Sequence, residues 1–304
     1  MVSACRGGPG SVIHHAIVTG IEITIQVLTC SALVGLLGAV GLRLTWGEVR
    51  AALNRCRLTA VLLINFFVVP ALAVAAAAGL GVERDIAVAM ILLAAAPFAP
   101  VVPVFARMAR ADLALAAGLT ASFPLISVLL TPLAAQAALR LLARTDSLHL
   151  NMLTSLATLT ATITVPLAAG VLVRHHAPDL GRRLLRPVEV ISEATGAASL
   201  AFVTLVRFDL IVNLGWRAWL AMAVAFEVSL VLGWSLGGPA RGARKVIALG
   251  TSNRNIALAL LVAIQSFPGT SVVPAVAGNG LLLIALGLLH VGWWRFIGTR
   301  RPAA

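Results

Sequence analysis

An arginine flanked by small polar residues interrupts an apolar stretch near the C-terminal end of the chain. A guanidinium binds carboxylate, sulfonate or phosphate groups through paired hydrogen bonds, and amides and hydroxyls add neutral hydrogen bonds. The residue types in this segment therefore favour the binding of an anion. The predicted substrate-binding residues here are Thr251, Ser252, Asn253, Arg254 and Asn255.

A second interruption lies in an apolar stretch of the N-terminal half. Pro97, Pro100 and Pro103 remove three backbone donors within residues 97–103 and fix φ at each position, so a regular helix cannot continue through them. We expect these prolines, together with Gly250, to mark the points where two interrupted helices cross.

The composition places both interruptions inside a membrane. A mean hydropathy of +1.00, with 60% hydrophobic and 11% charged residues, excludes a soluble globular domain. The net charge of +12 comes from basic residues in short loops, which indicates a topology signal and no nucleic-acid partner. Non-helical backbone at membrane depth must face protein or a water-filled cavity, because hydrocarbon offers no hydrogen bonds.

Hydropathy predicts an all-α polytopic membrane protein with about nine transmembrane helices and no appended soluble domain. The longest linker between spans is predicted at residues 178–187, where prolines and arginines cluster. The predicted spans are 16–42, 58–82, 86–106, 112–139, 150–173, 188–208, 216–238, 246–266 and 271–296.

Alternate loops separate the basic residues into two unequal groups. Sixteen Lys or Arg residues fall on one side and six on the other, with Arg254 inside a span. Because short cytoplasmic loops are enriched in cations, we expect a multi-pass protein of the inner cell membrane with its N-terminus outside and its C-terminus cytoplasmic. The sixteen are Arg43, Arg50, Arg55, Arg57, Arg107, Arg110, Arg174, Arg182, Arg183, Arg186, Arg241, Arg244, Lys245, Arg295, Arg300 and Arg301.

The interrupted spans are the third and the eighth. If the first half lacks one N-terminal helix, each is the fourth span of a five-helix repeat. Broken helices at corresponding positions of two repeats are typical of the binding site of a secondary transporter.

A series of short motifs follows one another over residues 30–297. They lie at 41–45, 65–66 with 70, 92–97, 110–115, 119–120, 129–132, 165–170 and 250–260. In this order they resemble the bile acid:sodium symporter family of secondary transporters.

The resemblance implies one transmembrane unit over 1–304, built from inverted repeats of four and five helices. A panel would comprise 16–42 and 150–208, and a core 58–139 and 216–296. The third and eighth spans would unwind and cross in the core.

The chain departs from the family where the resemblance implies sodium ligands. Sodium needs several converging oxygens, as other hard cations do, so these departures argue against a bound sodium ion and against sodium coupling. No other metal or cofactor is predicted. The residues at the implied ligand positions are Asn65, Val102, Pro103, Phe123, Pro124, Ala248 and Ser252.

Arg254 has three possible roles. It can hold an anionic substrate, it can replace a lost sodium ion as the positive charge of the core, or it can pair with a buried acid or helix-end carbonyls and fix the crossing. Glu227, at the middle of the seventh span, is the candidate acid. Intramembrane ionisable groups are functional hypotheses by default.

The other candidate residues are polar side chains within spans. Glu227 and Glu193 are predicted proton-coupling residues, with a neutral core acid and an interfacial acid as the alternatives. Asn65 and Thr120 are predicted to contact substrate, or else to join helices by hydrogen bonds.

The sequence therefore predicts a secondary transporter that moves a small organic anion across the lipid bilayer by alternating access, with no obligatory protein partner. The alternatives are a sodium- or proton-independent facilitator, an exporter of metalloids or other anions from the same superfamily, and a non-transporting membrane sensor or subunit. An enzyme is not expected, because the chain has no HExxH or GxSxG motif.

Overall fold

The described part of the chain consists of helices and connecting turns, and the helices are α-helical except for π-helical segments at Ile64–Val68 and Thr160–Thr164. The computed structural model describes residues 9–44, 47, 54, 57–142 and 152–299, with side chains over 20–44, 47, 54, 57–142 and 153–297. The loop cations Arg50, Arg55, Arg300 and Arg301 lie outside the described residues. Labelled α1 to α12, the helices are Pro9–Arg43, Leu58–Gly79, Arg84–Ala94, Val102–Met108, Leu113–Leu142, Leu153–His176, Pro178–Val206, Phe208–Val212, Trp216–Leu236, Arg241–Ser252, Ile256–Ser266 and Val272–Thr299.

The helices have the lengths and hydropathy of a polytopic membrane protein. Eight helical segments in the described residues are long and apolar enough to cross a bilayer. Helices α3 and α4, of 11 and 7 residues, are each too short, and only as a pair do they match the predicted third span. The count of nine spans and the 4+5 repeat remain predictions.

Two spans are interrupted at positions that differ from the predicted ones. The second break is shorter than predicted, and the first has the predicted length but begins two residues earlier. Helix α10 continues through Gly250 to Ser252, so the second break covers only residues 253–255. Pro103 is the second residue of α4, where a missing N–H costs no intrahelical bond. The first break covers residues 95–101 and contains Pro97 and Pro100.

The predicted linker at 178–187 is wrong. Helix α7 begins at Pro178, directly after α6, and passes through Pro187. Proline is favoured in the first turn of a helix because its φ is already helical and the N–H there has no partner. The arginines of this segment therefore project from a helix, and α6 and α7 form a tight helical hairpin.

The interrupted helices are the most enclosed elements. Every residue from Ile86 to Ala94 of α3 is buried, as is every residue from Leu258 to Ile264 of α11. Helix α12 packs against both, α5 packs against α3, and α10 packs against α9. Enclosure by protein is the condition under which broken backbone is tolerated at membrane depth.

Helices α1, α6 and α7 pack on one another beside this centre. Glycines allow their backbones to approach closely, as is common between transmembrane helices. A Cβ atom added at Gly170 of α6 would overlap the main-chain carbonyl oxygen of Gly38 in α1. The grouping of these three helices follows the proposed panel, whose boundaries remain a prediction.

We predict that Gly170→Ala lowers the free energy of unfolding in detergent by about 1–3 kcal/mol, because the added methyl group forces α1 and α6 apart. Gly292→Ala is the control, since an added Cβ there meets no atom within 4 Å and changes stability by less than about 1 kcal/mol. Equal unfolding temperatures for the two variants would contradict the close packing of α1 on α6.

Candidate functional site

The two interrupted helices meet through their non-helical backbone. The main-chain nitrogen of Ala99 donates to the carbonyl of Asn253 at 3.3 Å, and that of Asn255 donates to the carbonyl of Ala96 at 2.8 Å. Asn253 and Asn255 have extended backbone angles. Each break thus satisfies polar groups of the other where no bulk water is available.

Side chains cap the helix ends beside the crossing. The Thr131 hydroxyl of α5 donates to the carbonyl of Ala95, just after α3, at 2.8 Å. The Asn255 side-chain oxygen accepts from the main-chain nitrogen of Leu258 at 3.1 Å and caps α11. The side-chain oxygen of Asn255, a predicted substrate ligand, is therefore already engaged in a hydrogen bond to the first turn of α11. Sequence reasoning missed Thr131, because its partner lies 36 residues away.

An aromatic ring fills the space between the broken helices. Phe98 is fully buried, and its φ of 55° lies in the left-handed region that non-glycine residues rarely adopt. Its ring stacks on Phe123 with centroids 4.1 Å apart, and Phe66 lies 6.0 Å beyond Phe123. A Cβ atom at Gly250 would overlap the Phe98 ring. Gly250 therefore allows α10 to pack closely against this ring, and the helix continues through the glycine.

Arg254 is buried in the second break. The residue is 3% exposed, and its Nη1 donates to the main-chain carbonyl of Asn65 in α2 over a long distance of 3.5 Å. Its Nη2 has no hydrogen-bond partner, and no carboxylate among the described residues forms an ion pair with it. Among the described residues, the guanidinium of Arg254 therefore hydrogen-bonds to a backbone carbonyl, and no buried acid neutralises its charge.

Neutral polar groups surround this arginine. Asn65 donates its side-chain nitrogen to the Thr251 hydroxyl at 3.2 Å, which joins α2 to α10. Arg254 also lines a small void of about 30 Å³ with Ser229, Ser252 and Asn279. That volume is enough for one ordered water, and the side-chain oxygen of Asn279 lacks a partner as Nη2 does.

A large cavity lies on the side of the crossing that faces α1 and α7. Its volume is about 690 Å³, within the usual range of sites for organic ligands, and its walls are mainly apolar. Thr29 and Ser199 hydrogen-bond to each other across α1 and α7 at 2.7 Å. The polar residues that line the cavity are Thr29, Glu193, Ser199, Thr204, Asn253, Arg254 and Asn255.

A second cavity of about 250 Å³ adjoins the first and shares Leu36, Pro100, Val104 and Glu193 with it. Thr120 lines this second cavity, and its buried hydroxyl has no partner. The structure therefore places Thr120 apart from Arg254, and Glu193 where the two cavities join. Three exposed arginines lie around the outer end, namely Arg43, Arg107 and Arg186.

Glu227 does not contact Arg254. Its Oε2 lies 3.2 Å from Nε2 of His290 in α12, so the acid proposed as the arginine's partner has a different one. His290 was not among the predicted residues, because a single histidine near the end of an apolar helix gives no sign of its neighbour on another helix.

Comparison with family models gives one match, to the sodium bile acid symporter family, over residues 30–214. The match covers more than half of the chain. The chain belongs to the sodium bile acid symporter family. No protein in a search of curated proteins matches it. The family consists of transporters, and the broken, crossing helices described above agree with membership.

The family's name implies a sodium ion, but the residues of this chain do not fit one. At the positions where the resemblance places sodium ligands, Phe123 is stacked between Phe66 and Phe98, and Ala248 has no side-chain oxygen. The main-chain oxygen of Ala248 accepts a hydrogen bond from the Ser252 hydroxyl at 2.9 Å. Aromatic carbon excludes a hard cation, which needs several oxygens at short range.

We predict that Gly250→Ala lowers the free energy of unfolding by about 1–3 kcal/mol, because its methyl group collides with the buried Phe98 ring. Phe98→Leu, which shortens the ring, should partly restore stability in the double variant, with a coupling energy of about 0.5–3 kcal/mol. Gly292→Ala combined with Phe98→Leu is the control and should be additive. Additive losses for the Gly250 pair would show that the two residues do not meet.

Proposed function

We propose that the protein moves a small organic anion across the membrane by alternating access, without sodium in the cycle. The observation that carries this proposal is the large cavity that meets the crossing. All three residues of the second break line that cavity, so a solute in it touches one of the two non-helical segments of the crossing. Families of this architecture place their solute beside broken helices.

The charges around the cavities favour an anion. Arg254 supplies a positive charge at the crossing that no described acid neutralises, and desolvation strengthens its field. At the outer end of the second cavity Arg43 is paired with Glu189, whereas Arg107 and Arg186 form no ion pair among the described residues and raise the local concentration of anions. The apolar walls between these two regions suit a solute with an organic body.

The geometry supports a second role for Arg254 alongside anion attraction. Its contact with the Asn65 carbonyl turns the guanidinium toward α2, and the aromatic stack of Phe66, Phe98 and Phe123 occupies neighbouring space. We infer that Arg254 is a fixed cation that replaces a bound sodium ion in the core. A covalently attached charge cannot leave with the solute, so sodium would not drive transport.

The two connected cavities suggest which side is open. Arg43, Arg107 and Arg186 belong to the side that the distribution of basic residues assigns to the cytoplasm. The proposed conformation therefore faces inward, and movement of α1, α6 and α7 against the other helices would close this path and open one on the opposite side.

We predict that the carboxylate or sulfonate giving the largest thermal shift is taken up equally by proteoliposomes in sodium and in potassium media. Sodium should leave the melting temperature unchanged, because a ligand that binds only the folded state would raise it. Uptake that requires an inward sodium gradient would contradict the fixed-cation role.

Arg254→Gln should abolish uptake of the same anion, because a neutral amide removes the buried positive charge at the crossing, while protein yield and monodispersity remain. Arg254→Lys keeps the charge without the planar fork and should retain part of the activity. Arg295→Gln, which changes an exposed arginine of α12, is the matched control. Normal uptake by Arg254→Gln would remove the assigned role.

Ala197→Trp should block uptake by filling the large cavity, which Ala197 lines. The neighbouring Ala198 is exposed and does not line it, so Ala198→Trp is a control of identical chemistry one residue away. Both variants should unfold at similar temperatures. Equal uptake by the two variants would show that the solute does not pass through this cavity.

A further inference from the structure

Glu227 and His290 form an ionisable pair between two membrane-spanning helices. Glu227 is the twelfth of the 21 residues of α9, and His290 lies nine residues before the end of α12. Nε2 of His290 and Oε2 of Glu227 are 3.2 Å apart. The pair therefore lies near the middle of α9, far from either end of the helix.

The hydrogen bonds of the imidazole fix where its protons are. Nδ1 of His290 lies 2.9 Å from the main-chain carbonyl of Leu286, and a carbonyl can only accept, so Nδ1 carries a hydrogen. A neutral imidazole then has only a lone pair at Nε2, and a carboxylate oxygen has only lone pairs as well. Two acceptors do not approach to 3.2 Å without a proton between them. A proton shared between the two atoms accounts for this separation, so the geometry fits a pair with one proton more than a carboxylate and a neutral imidazole.

No other charged group contacts the pair among the residues that the structure describes. The rings of Phe226 and Trp294 flank His290 at 5.9 and 6.1 Å. Lys245 of α10 places its Nζ 5.9 Å from the centroid of the Trp294 ring and does not contact the pair itself.

The remaining elements packed on α9 and α12 carry their charges elsewhere. Asp85 of α3 binds the main-chain nitrogen of Ser271 at the other end of α12, with Arg84 beside it in sequence, and α8, which carries Asp209, packs near Gly278. Arg107 of α4 and Glu193 of α7 line the cavities. Helices α2 and α11 contain no ionisable side chain. Arg217 and Arg295 lie toward the ends of α9 and α12.

The shared proton makes the pair neutral overall. The Glu227 side chain is 44% exposed at the surface of the helix bundle, where the bilayer would surround it. A lone carboxylate at that depth is strongly disfavoured, whereas a carboxylate–imidazolium or acid–imidazole pair has no net charge. Release of the proton therefore requires a conformation in which water or a counter-charge reaches the pair.

Helices α9 and α12 connect the pair to the crossing. Phe226 contacts the His290 ring and also lines the small void beside Arg254, and Leu283 and Asn279 of α12 line the same void. Loss of the proton would leave a negative charge on the two helices that flank an arginine without a counter-ion. Protonation and the position of the crossing are thus electrostatically linked.

We propose that Glu227 and His290 form a proton-binding site, and that the proton it binds and releases is coupled to solute movement. The second part of this proposal depends on the transport function proposed above. The first part does not, and it has a separate test.

Carbodiimide labelling tests the site without any transport assay. Dicyclohexylcarbodiimide adds to protonated carboxyl groups in apolar surroundings, so mass spectrometry of the membrane-embedded protein should find an adduct on Glu227 that decreases as the pH rises. In His290→Gln the yield of the adduct should differ from that of the wild type, because the imidazole no longer shares the proton. Glu227→Gln should give no adduct at residue 227. Glu83→Gln, a change in a loop, should leave the adduct on Glu227 unchanged. Labelling of Glu227 that is absent, or is identical in wild type and His290→Gln, would overturn the site.

Transport under a pH gradient tests the coupling. With the membrane potential held at zero and sodium absent, one proton per solute allows about tenfold accumulation for each unit of pH difference. The wild type should approach this value, whereas Glu227→Gln should equilibrate the solute without accumulating it. His176→Gln, at the C-terminal end of α6, is the histidine control and should accumulate the solute normally.

The outcomes separate the two proposals. Equal accumulation by wild type and Glu227→Gln, or equilibration by both, would overturn coupling at this pair. If no carboxylate or sulfonate enters proteoliposomes at all, the transport proposal fails and coupling at this pair fails with it, while the labelling experiment still decides whether the pair holds a proton.

Discussion

The fold depends on two backbone hydrogen bonds between chain segments that are not helical. In hydrocarbon an unpaired N–H or C=O group has no water with which to form a hydrogen bond. A single break without a partner would therefore be too unfavourable to lie at membrane depth. Two hydrogen bonds between the breaks satisfy these groups. The main-chain nitrogen of Ala99 donates to the carbonyl of Asn253, and that of Asn255 donates to the carbonyl of Ala96. The Thr131 hydroxyl and the Asn255 cap satisfy further groups at the helix ends. The enclosure of α3 and α11 follows from the same requirement.

The chemistry of the crossing is that of a fixed charge among neutral dipoles. Arg254 contacts a backbone carbonyl, and no acid of the described residues approaches it. At one position where the family resemblance places a sodium ligand, this chain has Phe123, whose ring stacks on Phe98. The protein belongs to a sodium symporter family, yet its own residues favour a cycle in which the permanent cation belongs to the polypeptide.

The placement of charge differs between the two faces of the crossing. Toward α1 and α7 lies an apolar cavity that leads to a rim of arginines, which suits passage of an organic anion. Toward α9 and α12 lie a void of one water's size and, beyond Phe226, the neutral Glu227–His290 pair. A solute path and a proton site on opposite faces of one broken segment would let both influence its position.

The sequence by itself determined the membrane class, the two interruptions and the family, because hydropathy, clustered prolines and a charged residue in an apolar run are local signals. It also indicated Arg254 and Glu227 as candidate site residues, since ionisable side chains are rare at such depth, and their roles stay predictions. It placed α7 incorrectly, because proline at 178 begins a helix as readily as it ends a loop. Only the tertiary structure showed which residues are in contact. These pairs are His290 with Glu227, Thr131 with Ala95, and Phe98 with Gly250. These contacts join residues far apart in the chain, and their partners are set by how whole helices pack, which no local pattern encodes.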